Sequence, residues 1–157
     1  MKLSVLALDY DGTSAVEGVL DPAIRSAIAD ARAHHIVVVL VTGRRLEDLR
    51  RVAGDLHFVD GVVAENGALV HFPGSGYLNV LGPPPAQAFR QELVRRNIPF
   101  SAGACLVEAE AAEASRMLEV IRATELPLAL VFNRGRVMAL PQSLNKGTGL
   151  REALSIL

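Results

Sequence analysis

The sequence predicts an α/β fold: a parallel sheet flanked by helices, with a small α+β unit inserted in its second half. Three observations predict it. Two short apolar runs, residues 3–8 and 36–41, flank a helical segment, the pattern of a βαβ unit with parallel strands and a right-handed crossover. Both runs end in polar chemistry on what must be one edge of the sheet. After Gly82-Pro83-Pro84-Pro85, the clearest linker in the chain, the pattern becomes helix, strand, helix and hairpin. These boundaries assign 1–82 and 137–157 to the main unit and 83–136 to the inserted one.

Bulk properties narrow the function. Half of the 157 residues are apolar, enough for a real core, and the net charge of −1 leaves no nucleic-acid footprint. Aromatic residues are few and Trp is absent, which argues against base stacking. The one cysteine, Cys105, cannot form an internal disulfide and reads as a small core residue in a reducing compartment. No apolar stretch approaches the roughly 18 residues of a membrane span, and the N-terminus does not read as a signal peptide. The expectation is a cytoplasmic protein that binds neither nucleic acid nor membrane.

Along the chain, Leu3 to Leu8 reads as a strand buried on both faces. Ser14 to Leu20 shows no clear period. Asp21-Pro22 is a helix start, Asp as N-cap and Pro in the first turn, and Ala23, Ile24, Ala27, Ile28 and Ala31 mark its apolar face. Ile36 to Val41 is a second buried strand, followed by a helix over Leu46–Gly54. Gly61 to Ala64 is a third strand. Ala68–Phe72 and Tyr77–Leu81 flank Pro73-Gly74-Ser75-Gly76 as a hairpin. In the inserted unit, Phe89, Leu93 and Val94 mark a helix and Phe100 to Val107 a strand. Ala114, Met117, Leu118 and Ile121 mark a second helix. Leu128–Phe132 and Arg136–Leu140 form a hairpin around Asn133-Arg134-Gly135. A last helix runs from Thr148 to Ile156.

The chemistry gathers at the strand ends. Strand one delivers Asp9, then Asp11, Gly12 and Thr13. The carboxyl ends of parallel strands are where function sits in an open α/β sheet. Two acids this close repel unless a cation lies between them, and a hard metal ion held with a phosphate would serve. The other reading of Asp-Gly is a surface turn. Thr42-Gly43-Arg44 ends strand two, so Thr42 should lie beside Asp9 and Asp11. It either holds a phosphate oxygen or only caps the next helix. Asn66 is either a turn residue or reaches the active edge. Lys146 in a first helical turn opposes the helix dipole, which an anion across the gap would explain; otherwise it is an ordinary surface lysine.

The set Asp9–Thr13, Val41-Thr42-Gly43-Arg44, Ala64-Glu65-Asn66-Gly67-Ala68 and Lys146-Gly147-Thr148, in this order, resembles the haloacid dehalogenase superfamily, and within it the Cof-type (class IIB) phosphatases. The resemblance covers nearly the whole chain. It implies a Rossmann-like core with its cap between the second and third motifs. It implies a phosphatase of small phosphorylated metabolites. Asp9 would be the nucleophile that forms an aspartyl-phosphate, and Asp11 the general acid and then base. Thr42 would donate to the phosphoryl group and Lys146 would balance charge. Mg2+ would bridge Asp9, the backbone carbonyl of Asp11 and the phosphate. Gly12, Gly43, Arg44 and Asn66 would complete the substrate site. The cap would exclude water and select the substrate, with Arg134 and Arg136 either as contacts or as a solvated face.

The family's fourth motif, an acidic Gly-Asp-x-x-x-Asp-type loop after one more strand, is not found up to Leu157. Three expectations follow. The outer edge of strand one would be unpaired, the metal would keep water in place of one acid, and a continuation of the chain, a second copy or another subunit would cover the edge. A domain that binds phosphate or a protein partner with little turnover is the alternative reading.

Overall fold

The computed structural model describes residues 4–157; the start of the first expected strand at Leu3 lies outside them. The main sheet begins with β1 (Val5–Asp9), followed by a two-stranded flap of β2 (Ala15–Val16) and β3 (Val19–Leu20). Helix α1 (Pro22–Ala33) leads to β4 (Val37–Val41), α2 (Leu46–Ala53) and β5 (Gly61–Ala64). A single 3-10 turn, Glu65–Gly67, then opens the hairpin of β6 (Leu69–Phe72) and β7 (Tyr77–Val80). The strand order is β1-β4-β5-β6-β7, with β1, β4 and β5 parallel and the hairpin antiparallel.

Alternation along β4 shows how the sheet is covered. Val38 and Leu40 face Ile28 of α1 and Leu49 of α2 in one cluster. Val39 and Val41 face Ala153 and Leu150 in another. Those two residues belong to the last helix, α5 (Lys146–Ile156), so the sheet has helices on both faces. Asp21 caps α1 as its sequence predicts, accepting from the Ala23 N–H at 2.7 Å.

The second sheet is built from β8 (Ser101–Ala102), β9 (Val107–Glu110), β10 (Leu128–Asn133) and β11 (Arg136–Pro141), in the order β10-β11-β9-β8 and antiparallel throughout. Helices α3 (Gln87–Arg95) and α4 (Ala114–Thr124) cover one face through Phe89, Leu93, Met117 and Val120, packed on Val137 and Ala139. Met138 and Leu140 lie on the other face. Met117 and Met138 are both core residues.

Four expectations change. Among the described residues β1 has the unpaired outer edge that was expected, but it is not buried on both faces, since Ala7 and Asp9 are exposed. Ser14 to Leu20 forms the flap rather than an irregular segment; Glu17 and Gly18 both take positive φ, as a tight hairpin turn requires. The expected strand Phe100–Val107 is two strands, since Gly103 N–H donates to the Leu106 carbonyl at 2.8 Å and folds β8 back on β9. The expected boundary between 136 and 137 falls inside β11, whose whole length pairs with β10, so the chain leaves the second sheet only after Pro141. Among the described residues no helix is long and apolar enough to cross a membrane.

The start of α5 is fixed by glycines. Gly67 has φ +99, and a Cβ there would stand 1.8 Å from the Asn145 carbonyl oxygen. A Cβ on Gly149 would meet the Gly67 Cα at 2.6 Å. Asn145 and Thr148 then close a reciprocal capping box. We predict that Gly67→Ala lowers unfolding stability by roughly 2–4 kcal/mol in urea denaturation, through left-handed strain and backbone collision. Gly74→Ala, with open space around the added methyl, should stay within about 0.5 kcal/mol of the parent.

Candidate active site

The parallel register sets Asp9 opposite Val41, which brings Thr42 to the same edge as Asp9 and Asp11. Tyr10 between the two acids points into the core, fully buried, and its hydroxyl donates to the Gly18 carbonyl at 2.8 Å. Burial pushes the Tyr10 phenol above its usual range, opposed by the Arg44 charge. With Tyr10 turned inward, Asp9 at the end of β1 is exposed and Asp11, past the strand, turns against Arg44.

Each carboxylate has its own cation. Lys146, on the first turn of α5, donates from Nζ to Asp9 Oδ1 at 2.8 Å. This contact joins residues 137 positions apart. Asp11 is held by Arg44, whose Nε donates at 3.1 and 3.0 Å and whose second nitrogen donates at 2.8 Å. Both side chains of that pair are nearly buried, 8% and 11% exposed. Arg134, at the β10–β11 turn, stands 3.4 Å from Asp11 Oδ2, the oxygen that Arg44 Nε also reaches at 3.0 Å.

The remaining expected residues fall into two groups. Thr42 is buried, and its hydroxyl oxygen accepts from the Arg44 N–H at 3.1 Å, which leaves the hydroxyl proton to donate elsewhere. Gly12, at φ +73, makes the turn after Asp11 and has open space where a side chain would stand. Asn66 meets the site through its backbone: it is left-handed, and its N–H donates to the Thr42 carbonyl at 3.1 Å. Gly43 lies under the second sheet, since a Cβ would meet Asn133 Nδ2 at 2.4 Å. Arg44 grips Asp11 rather than open solvent.

Two residues gain a role the sequence did not show. Arg134 was as consistent with a solvated face, yet the hairpin carries it to Asp11. Glu65 is buried, and its carboxylate accepts from the Ala104 and Cys105 N–H groups at 3.0 and 3.2 Å. It ties the main sheet to the β8–β9 turn, helped by Arg45, which donates to the Ala102 carbonyl at 3.3 Å. A hint of this lay in Gly103, where a Cβ would meet both Glu65 oxygens at 2.7 Å. Burial pushes the nearby Cys105 thiol up, so it is an inert core group.

A metal finds few donors here. Among the described residues no three His, Cys, Asp or Glu side chains form a metal-holding group. The Asp11 carboxylate is committed to arginines, so its backbone carbonyl is what remains for a cation. Asp9 keeps one carboxylate oxygen that Lys146 does not take. One carboxylate and a carbonyl suit Mg2+, which retains several waters and borrows phosphate oxygens.

A family model described as haloacid dehalogenase-like hydrolase matches residues 6–101. The chain belongs to the haloacid dehalogenase-like hydrolases. Solved structures share the fold at low identity. A Thermoplasma acidophilum protein superposes with a TM-score of 0.78 at 11% identity, covering 99% of this chain and 72% of its own. A haloacid dehalogenase-like hydrolase from Bacteroides thetaiotaomicron gives 0.76 at 12%, covering 99% and 77%. A structure described as a HAD subclass IIB sugar phosphatase gives 0.72 at 13%, covering 98% and 75%.

The Arg44–Asp11 pair is testable as a unit of this hydrolase fold. Breaking a nearly buried ion pair by removing one partner leaves an uncompensated charge. Arg44→Ala and Asp11→Ala should each destabilise the protein, and a double-mutant cycle in urea should give a coupling of roughly 2–4 kcal/mol.

Proposed function

We propose that this chain carries the phosphoryl site of a Mg2+-dependent phosphatase that acts on small phosphorylated metabolites. The observation that carries the reading is the Asp9–Lys146 contact at 2.8 Å, placed beside Thr42 at the carboxyl edge of parallel strands. An ammonium fixed against a half-exposed carboxylate binds the anion that the carboxylate must attack. The similar sugar phosphatase makes phosphate esters a reasonable substrate class.

In this reading a phosphomonoester enters with its phosphoryl group between Lys146 and the Thr42 hydroxyl. One Asp9 oxygen attacks phosphorus while the other stays available to a cation, the bond from phosphorus to the leaving oxygen breaks, and Asp11 gives that oxygen a proton. Asp11 then takes a proton from water as the water attacks phosphorus, and the bond to Asp9 breaks. The products are an alcohol and inorganic phosphate, with Asp9 restored. Asp9 and the Asp11 carbonyl would hold Mg2+, which when bound neutralises phosphoryl charge. Positioning and charge neutralisation carry most of such a reaction. The second sheet, tied down through Glu65 and Arg45, covers the Asp11 side of the site and leaves Asp9 open to an incoming phosphomonoester.

A second reading has its own support. Both Asp11 oxygens face arginines, and a carboxylate so held must let go before it can shuttle a proton. A domain that binds phosphate with little turnover fits that arrangement. The open edge of β1 would take a further strand, from this or another chain.

Hydrolysis of p-nitrophenyl phosphate separates the readings. We expect turnover that EDTA abolishes, that Asp9→Asn lowers by about a thousandfold or more, and that Lys146→Ala lowers by about a hundredfold. Phosphate binding by a folded protein without turnover would favour the second reading. Turnover that survives Asp9→Asn would overturn the first.

A further inference from the structure

The β10–β11 hairpin, Glu108 of β9 and the length of α2 line a cleft of about 280 Å³, and two of its residues, Arg44 and Arg134, reach Asp11. Its walls carry Arg44, Arg45, Arg51, Arg134 and Arg136 against the two carboxylates Asp48 and Glu108. Those carboxylates are already engaged. Asp48 pairs with Arg45 at 2.7 Å and with Arg51 at 3.1 Å, and Glu108 pairs with Arg136 at 2.7 Å. Arg44 is committed to Asp11.

What the cleft holds in surplus is hydrogen-bond donors. Arg51 and Arg134 are 67% and 43% exposed, and each is paired at a single nitrogen, at 3.1 and 3.4 Å. A guanidinium has five N–H donors and no acceptor, so most of theirs remain unused. The Asn133 amide lines the same space. Sugar hydroxyls both donate and accept, and match such a wall poorly. A nucleobase needs apolar or aromatic faces, and here only Val52 and Met138 supply any. The matching group is small, charged and accepting only.

The backbone at Arg134 adds weight. It has φ +49 at a turn where Gly135 has φ +74. A glycine would sit there with less strain, yet an arginine is held in place beside Asp11.

The geometry points to a second-anion subsite. The cleft takes a carboxylate or second phosphate carried on the leaving group of a phosphomonoester whose phosphoryl group sits at Asp9. The inference rests on the phosphomonoester reading given above. It makes Arg134 and Arg51 the residues that select the substrate, and it gives Arg134 another anion to hold when Asp11 is released for proton transfer.

Binding of phosphonates, which cannot be hydrolysed, tests the subsite apart from catalysis. The probes are ethylphosphonate, 2-carboxyethylphosphonate and ethane-1,2-bisphosphonate, titrated by calorimetry into the full chain. At least one of the two probes with a second anionic group should bind about tenfold or more tightly than ethylphosphonate, and whichever does identifies the second group. The preference should fall below about threefold in Arg134→Gly and in Arg51→Ala, and should weaken as salt is raised. Arg134→Gly relieves left-handed strain, so an undiminished melting temperature checks that it folds. Equal binding of all three probes, or a preference that survives both substitutions, would overturn the subsite. A preference without any hydrolysis of p-nitrophenyl phosphate upholds the subsite and removes the phosphatase reading. Hydrolysis without the preference does the reverse.

Discussion

The close approach of the 65–67 turn and the start of α5 is the constraint on which the site depends. Gly67 and Gly149 allow two backbones to touch where any side chain would hold them apart. Only with that contact does the Asn145 cap seat α5 against the end of β5, and only then does Lys146 reach Asp9. The same turn, through its left-handed Asn66, fixes the backbone carbonyl of Thr42. Its buried Glu65 carries the second sheet. One three-residue turn therefore sets Lys146, Thr42 and the second sheet. Packing on both faces of β4 makes this rigid, since a well-packed core does not deform gradually.

Electrostatics divides the labour between the two acids. Repulsion between Asp9 and Asp11 suggests a single cation between them, but the structure gives each its own. Asp9 has a flexible ammonium that shares a partly solvated contact and leaves one oxygen free. Asp11 has a bidentate guanidinium in a nearly buried contact. A lysine is a compact point charge on a mobile stem, whereas an arginine fork fixes orientation as well as charge. In the proposed reading this arrangement keeps Asp9 available to a phosphoryl group and stores Asp11 against the cleft, where an incoming anion would compete for its partners.

Much of this was legible in the chain itself. Short apolar runs ending in polar residues placed β1, β4 and β5, and parallel register alone brought Thr42 beside Asp9. Asp21-Pro22 announced its helix through capping chemistry that is local and therefore readable, whereas the Asn145 cap, which starts the last helix at Lys146 rather than Thr148, was not read. What could not be read depends on contacts between distant segments. The flap at 15–20 is too short to show a period. The division of 100–107 into two strands follows from Gly103 wrapping the Glu65 carboxylate, 38 positions earlier. The place of β11 in the second sheet follows from pairing with β10 along its whole length. Arg134 reads as an ordinary turn-flanking arginine until the hairpin is set over Gly43 and Asp11. The open edge of β1 was expected from the motif order, but its exposed Ala7 and Asp9 were not, because an apolar run taken alone reads as buried on both faces.

Whether Asp9 forms a covalent bond to phosphorus is the point on which the account turns. Acid quenching during turnover of an aryl phosphate, reduction with borohydride and peptide mass spectrometry reads it directly, because an acyl phosphate is reduced to an alcohol while a free carboxylate is not. The account predicts homoserine at position 9. Reduction at another carboxylate, or an unaltered Asp9 in an enzyme that is turning over, would contradict it.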